Sequence, residues 1–102
     1  MIHVVATVEL KQGCRQAYLD VLLPNVPNVK AEKGCLRYEP TIEMDTDIAI
    51  HEIAGDDVVT IIEAWESVDA LKQHFTEPHM VAYREKVKDL FENVSIRVLK
   101  PA

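Results

Sequence analysis

The sequence predicts a single α+β domain in which helices cover one face of a β-sheet. Three observations lead there. At 102 residues and 11.6 kDa the chain is long enough for one core and too short for two. Apolar residues alternate with period two in some stretches and recur at helical spacing in others. The two kinds of stretch follow one another in the order β-α-β-β-β-α-α-β.

Ile2 to Leu10 reads as a strand, with Ile2, Val4, Ala6, Val8 and Leu10 on one face and His3, Val5, Thr7 and Glu9 on the other. Apolar character on both faces predicts cover on both. After Lys11-Gln12-Gly13, about Arg15 to Lys33 reads as a helix with Tyr18, Val21, Leu22, Asn25, Val26 and Val29 near one face. Pro24 and Pro27 predict a kink or break, and Gly34 a C-cap. Leu36 to Met44 is a second strand, with Leu36, Tyr38, Ile42 and Met44 on one side. Ile48 to Ile53 reads as a short strand, turned by Gly55-Asp56-Asp57 into a hairpin with Val58 to Glu66. That last run is rich in β-branched residues and ends in Trp65. Ser67 caps a short helix bearing Val68, Leu71 and Phe75. Pro78 opens a longer helix, in a first turn that needs no N–H from it. Met80, Tyr83, Val87, Leu90 and Phe91 form its stripe, and Val94 to Leu99 closes the fold.

This order reduces to a ferredoxin-like split βαβ sandwich with a hairpin insertion, one domain over residues 1–102. Helices protect one sheet face. The other, expected to carry Val5, Val59 or Ile61, predicts a homodimer in which two sheets meet as a dimeric α+β barrel. Each subunit then keeps a small-molecule cavity between sheet and helices.

Composition narrows the function. Eleven Lys and Arg against seventeen Asp and Glu leave a charge of −6, which argues against nucleic acid or an anionic membrane as partner. No apolar run is long enough to span a membrane. The first ten residues lack an early Lys or Arg and contain Glu9, which does not read as a leader. Cys14 and Cys35 then read as reduced thiols of a cytoplasmic protein.

Three stretches stand out together: Glu32-Lys33-Gly34-Cys35-Leu36-Arg37-Tyr38, Glu63-Ala64-Trp65-Glu66-Ser67 and His74-Phe75-Thr76-Glu77-Pro78-His79-Met80. In this order and spacing the chain resembles the antibiotic biosynthesis monooxygenase family from Ile2 to Pro101. Within it, Val26 to Cys35 and Ile96 to Pro101 resemble the bacterial quinol monooxygenase type. The resemblance implies a dimeric barrel and an oxygenase without metal, haem or flavin that oxidises phenols or hydroquinones with O₂. Haem-degrading relatives use an Asn, a Trp and a His where this chain has Ala6, His74 and Arg84, which speaks against haem breakdown. Antibiotic-pathway members carry an Asn four residues before the strand tryptophan, where this chain has Ile61.

One fold hosts many reactions, so two rivals stand beside this one. The first is an isomerase of a small phosphorylated signalling sugar, which needs converging basic residues, whereas Arg37, Arg84 and Arg97 are scattered in sequence. The second is a non-enzymatic dimeric binding protein for redox-active aromatics.

Trp65 is either a wall that stacks on a planar substrate or simply the largest core filler. Glu63, two residues earlier, shares its face. It serves as base or proton relay if that face is a pocket, and pairs across the subunit boundary with Arg37 or Arg97 if it is the dimer interface. His74 and His79 lack the i, i+4 spacing of a helical metal pair; either suits a general base, or a satisfied helix-end residue. Tyr38 and Tyr83 either hold a phenolic oxygen or pack. His3 and His51 read as structural strand residues.

Overall fold

The structure is a computed structural model describing all 102 residues. Its elements are β1 (Ile2–Leu10), α1 (Arg15–Lys30), β2 (Cys35–Thr41), β3 (Val58–Trp65), α2 (Val68–Thr76), α3 (Pro78–Val87) and β4 (Phe91–Leu99). The strands form one antiparallel sheet in the order β2-β3-β1-β4, the ferredoxin-like arrangement. No helix is long and apolar enough to cross a membrane.

Alternation works as expected on β1. Val4, Ala6, Val8 and Leu10 are buried beneath the helices with Val59, Ile61 and Trp65 of β3, against Tyr18 and Leu22 of α1, Leu71 of α2, and Met80 and Val87 of α3. Register matters here. Val4 lies opposite Glu63, and Glu63 opposite Tyr38, so one cross-sheet row brings a carboxylate and a phenol to the helix side. Burying so apolar a set is what fixes that register, because a one-residue slip would turn every one of these side chains outward.

Several expectations fail for identifiable reasons. Residues 42–57 form no strand, so Ile48 to Ile53 makes no hairpin. Instead β2 and β3 pair directly, and this arm is the loop between them. The strand expected to pair with it, β3, has both edges taken by β1 and β2. His51 therefore sits off any strand, bonded to Thr46 and Glu43 at 2.6 and 3.2 Å. Helix α1 continues through Pro24 and Pro27 and stops at Lys30. Both prolines are exposed, so water reaches the carbonyls they leave unbonded. Gly34 is not its cap, for Ala31 holds that place. On α2 the inward residues are Leu71 and His74, while Val68 and Phe75 stay largely exposed. Val59 and Ile61 face the helices, not the open face; the open face carries Val5, Ile62 and Arg97.

Candidate active site

Between the sheet and the helices lies a cavity of about 210 Å³, apolar except for Glu63, His74, Arg84 and the hydroxyl ends of Tyr38 and Tyr83. Its floor comes from Ala6, Val8, Ile61 and Ile96 of the sheet, and its roof from Phe75 of α2 and Met80 of α3.

Glu63 is a buried acid among hydrophobic neighbours. The Trp65 Nε1–H donates to its Oε1 at 2.9 Å, which fixes the carboxylate and leaves Oε2 without a protein partner. Burial pushes this carboxyl up to about 7, against the pull of the Trp65 hydrogen bond and helped by the charge on Glu32. Arg37 is no partner: it pairs with Glu39 at 2.8 Å, and Arg97 lies opposite Val5 on the other face. Within the chain neither arginine meets Glu63, which lies on the helix-covered face. Trp65 itself is wholly buried, does not line the cavity, and packs its ring 4.7 Å from that of His74. It stands behind the wall.

His74, in the last turn of α2, reaches the cavity and sets Nδ1 within 2.9 and 3.0 Å of the two Glu32 oxygens. Burial, with the positive charges of His79 and Arg84, pushes its imidazole down to about 4, so it is neutral at pH 7. Nδ1–H donates to the carboxylate, and Nε2 keeps its lone pair. Neither Nε2 nor the Tyr38 hydroxyl is a sealed, unpaired atom, so both open on the cavity.

Tyr83 and Tyr18 share a buried hydroxyl–hydroxyl hydrogen bond. Either hydroxyl can donate; with Tyr18 fully buried and Tyr83 on the cavity, donation by Tyr18 would leave the Tyr83 proton for a cavity ligand and strengthen it as a donor. Burial holds both phenols, and Tyr38, above the ordinary tyrosine range.

His79 lies elsewhere. It lines an outer cleft of about 270 Å³ between α1 and α3, with Asn25, Asn28 and Lys86. Its Nε2 is 2.9 Å from Glu32 Oε2, but the N–H direction misses the oxygen, so neither ring nitrogen has an aligned hydrogen bond. Of the six candidates, then, Tyr38, Glu63, His74 and Tyr83 share one cavity, Trp65 backs it, and His79 stands outside.

Sequence reasoning missed Glu32 and Tyr18. Glu32 sits in the turn before β2, its side chain 6% exposed. Gly34, at φ +86°, lets that turn lie on α2: a Cβ there would stand 2.6 Å from the Ala70 Cβ. The only signal for Glu32 was its place in the first of the three stretches. No group of three His, Cys, Asp or Glu side chains converges where a metal ion could be held.

The antibiotic biosynthesis monooxygenase family model matches residues 1–86. The chain belongs to this family. At family level it is a monooxygenase. "Probable quinol monooxygenase YgiN" of Escherichia coli K12 is 38% identical over 103 residues, spanning 99% of this chain and 98% of that protein. Among solved structures, Rv0793 of Mycobacterium tuberculosis has TM-score 0.80 at 25% identity, covering 99% of this chain and 94% of that one. PA3566 of Pseudomonas aeruginosa, at TM-score 0.83 and 24% identity over 99% of this chain and 93% of that one, shares the family's fold.

Proposed function

We propose that the protein oxidises a quinol, or a phenol of similar size, with O₂ inside the sheet–helix cavity and without a cofactor. One observation carries this reading: two proton acceptors, Glu63 and His74, and two hydroxyl donors, Tyr38 and Tyr83, converge in an otherwise apolar chamber. The chamber is smaller than the ~300–1,000 Å³ of drug-sized sites, which suits a one- or two-ring aromatic. The name of the E. coli relative points to the same substrate class.

The chemistry needs little else. Triplet O₂ reacts slowly with closed-shell molecules, but a quinol anion gives up one electron readily. Glu63, near 7, matches its task as the base that takes a hydroxyl proton. Tyr83 and Tyr38 donate to the oxyanion, and the mainly apolar walls strengthen those bonds. A ring carbon then bonds to oxygen as a peroxide, its C–H proton is lost, and the O–O bond breaks. One oxygen stays on the ring and the other leaves as water. The two electrons required come from the quinol, which becomes a quinone, so no external reductant enters. His74 Nε2 is the second proton acceptor. Trp65 is a positioning residue that holds Glu63, and His79 does not touch substrate. Arg84 is the single cation at the wall and donates to the Phe75 carbonyl at 2.7 Å, which gives a phosphorylated sugar little to bind.

The protein is also proposed to act as a cytoplasmic homodimer. Ile42, Met44, Ile48, Ile50 and Ile53 of the arm, and Val94, Ile96 and Val98 of β4, stand half exposed or more nearly bare. A stable monomer seldom shows so much apolar surface. Two free thiols fit a reducing compartment.

The test is uptake of ¹⁸O₂ with reduced 1,4-naphthoquinone by metal-stripped protein. One labelled oxygen should enter the product at a rate above autoxidation, and Glu63→Gln and His74→Gln should lose most of that rate. Native uptake equal to background refutes the oxygenase; quinone binding without uptake favours the binding protein. Sedimentation at micromolar concentration should show a dimer, and a folded 11.6 kDa species would remove it.

A further inference from the structure

Glu32 stands between two openings of the molecule. On one side His74 lines the inner cavity, and on the other His79 lines the outer cleft. The same carboxylate oxygen, Oε2, is 2.9 Å from His74 Nδ1 and 2.9 Å from His79 Nε2. We propose that His74, Glu32 and His79 form a proton relay between the sheet–helix cavity and the outer cleft. The proposal rests on the quinol oxidation above and deepens it.

Four observations support the relay. Both histidines stand 2.9 Å from the same carboxylate oxygen; the His74 link is an aligned hydrogen bond, and the His79 link becomes one once the ring turns into line. The carboxylate is nearly sealed, 6% exposed, so water does not short-circuit the middle of the path. His74 alone is a weak base, its imidazole held down to about 4, and passing the proton onward is what makes it effective. Finally, both His79 nitrogens lack an aligned partner, an uncommon state for a covered polar group. No hydrogen bond holds the ring in place, and a turn about Cβ–Cγ would carry a proton from Glu32 toward the cleft. The neighbouring charges leave the path open: Arg84 is bonded to the Phe75 carbonyl, and Glu77, at the joint of α2 and α3, acts on Glu32 and His74 only through its charge.

The proton count closes. When the substrate hydroxyl gives its proton to Nε2, the Nδ1 proton passes to Glu32 and on to His79. Quinol plus O₂ yields hydroxyquinone plus water with no net proton released. What leaves in the first half therefore returns in the second, when Nε2 protonates the departing oxygen and Nδ1 is refilled from Glu32.

Two variants separate a relay from a scaffold. Glu32→Gln keeps an oxygen to accept from Nδ1–H but carries no proton; His79→Ala breaks the path only at its mouth. Oxygen uptake with reduced naphthoquinone in dilute buffer should fall about tenfold or more in both, with KM unchanged. Added imidazole should restore His79→Ala saturably and leave Glu32→Gln slow. Native-like turnover of His79→Ala, or the same imidazole response in both variants, overturns the relay. If the native protein consumes no O₂, the quinol reading fails by itself, and exchange of the His74 Nδ1 proton with water, followed by ¹⁵N NMR, still decides. The relay requires at least about tenfold slower exchange in Glu32→Gln, and an unchanged rate refutes it.

Discussion

Replacing Glu63 by Gln should make the protein more stable above neutral pH while disabling it. The native carboxyl sits at about 7 rather than its ordinary 4.5 because burial penalises its charge. A group raised in the folded state contributes stability that is fully present below 4.5 and is lost as pH rises through about 7. At 1.36 kcal/mol per pH unit this loss is about 3 kcal/mol, a large part of the ~5–15 kcal/mol that holds such a domain. Gln imitates the neutral acid and can still accept from Trp65. The two proteins should therefore be close in stability near pH 4.5 and separate by about 3 kcal/mol, in favour of Glu63→Gln, by pH 8. His74 supplies the opposite slope. Its imidazole is held down to about 4, so the folded state gains stability as pH climbs from there toward 6.5. The native curve is accordingly flat where the variant's rises. Urea unfolding across pH 4.5–8, followed by fluorescence of the sole tryptophan, measures both curves. Parallel curves would show that Glu63 titrates like a solvated carboxylate, and the argument for it as a base would collapse with them.

Other perturbations follow from the same geometry. Gly34→Ala should destabilise by about 1–3 kcal/mol, because its Cβ meets Ala70 at 2.6 Å with φ at +86°; unfolding no harder to resist than in the native protein would contradict the close approach. Tyr18→Phe should cost about 1 kcal/mol and slow turnover a few-fold, with the Tyr83 hydroxyl left unpolarised; steady-state kinetics unchanged in kcat would count against Tyr83 as a donor. Ser67→Ala removes the cap that accepts from the Ala70 N–H at 3.1 Å and should lower stability by about 1 kcal/mol, measured by thermal unfolding.

Periodicity made the framework readable. The even positions of β1 and the odd positions of β3 are buried as alternation demands, and Pro78 and Ser67 mark helix starts where their chemistry predicts. Periodicity also misled. Ile48, Ile50 and Ile53 supply enough apolar character for a strand, yet β3, the partner a hairpin needs, is paired on both edges by β1 and β2, which no local pattern reports. Val59 and Ile61 face the helices although local pattern puts them on the open face, because β3 is apolar on both sides and only pairing with β1 decides which side meets helices. Tyr38, Glu63, His74 and Tyr83 could be named because each lies on an element with a legible face. Glu32 could not be singled out. It occupies a turn, and its partners are 42 positions away for His74 and on another helix for His79. The same holds for Tyr18, whose stripe position is core by any local rule until Tyr83 arrives opposite it.

The pairing of β1 with β4 sets the order in which the fold is completed. β1 leads the element order and β4 ends it, yet His3 lies opposite Leu99 and Ala6 opposite Ile96. Such contacts close the longest loop in the domain, so their entropic cost falls on the latest stage of folding. Val94 and Ile96 of β4 also wall the cavity. During synthesis, α1, β2, β3 and α2 emerge and can dock on β1 while one edge of β1 remains open. The nascent domain can thus acquire most of its secondary structure before it owns a chamber. In stopped-flow refolding, binding of an aromatic probe should lag behind the recovery of far-ultraviolet circular dichroism. An exposed β1 edge in that interval offers a template for pairing with another unfinished chain, making the wait for β4 the interval of greatest exposure to misassembly.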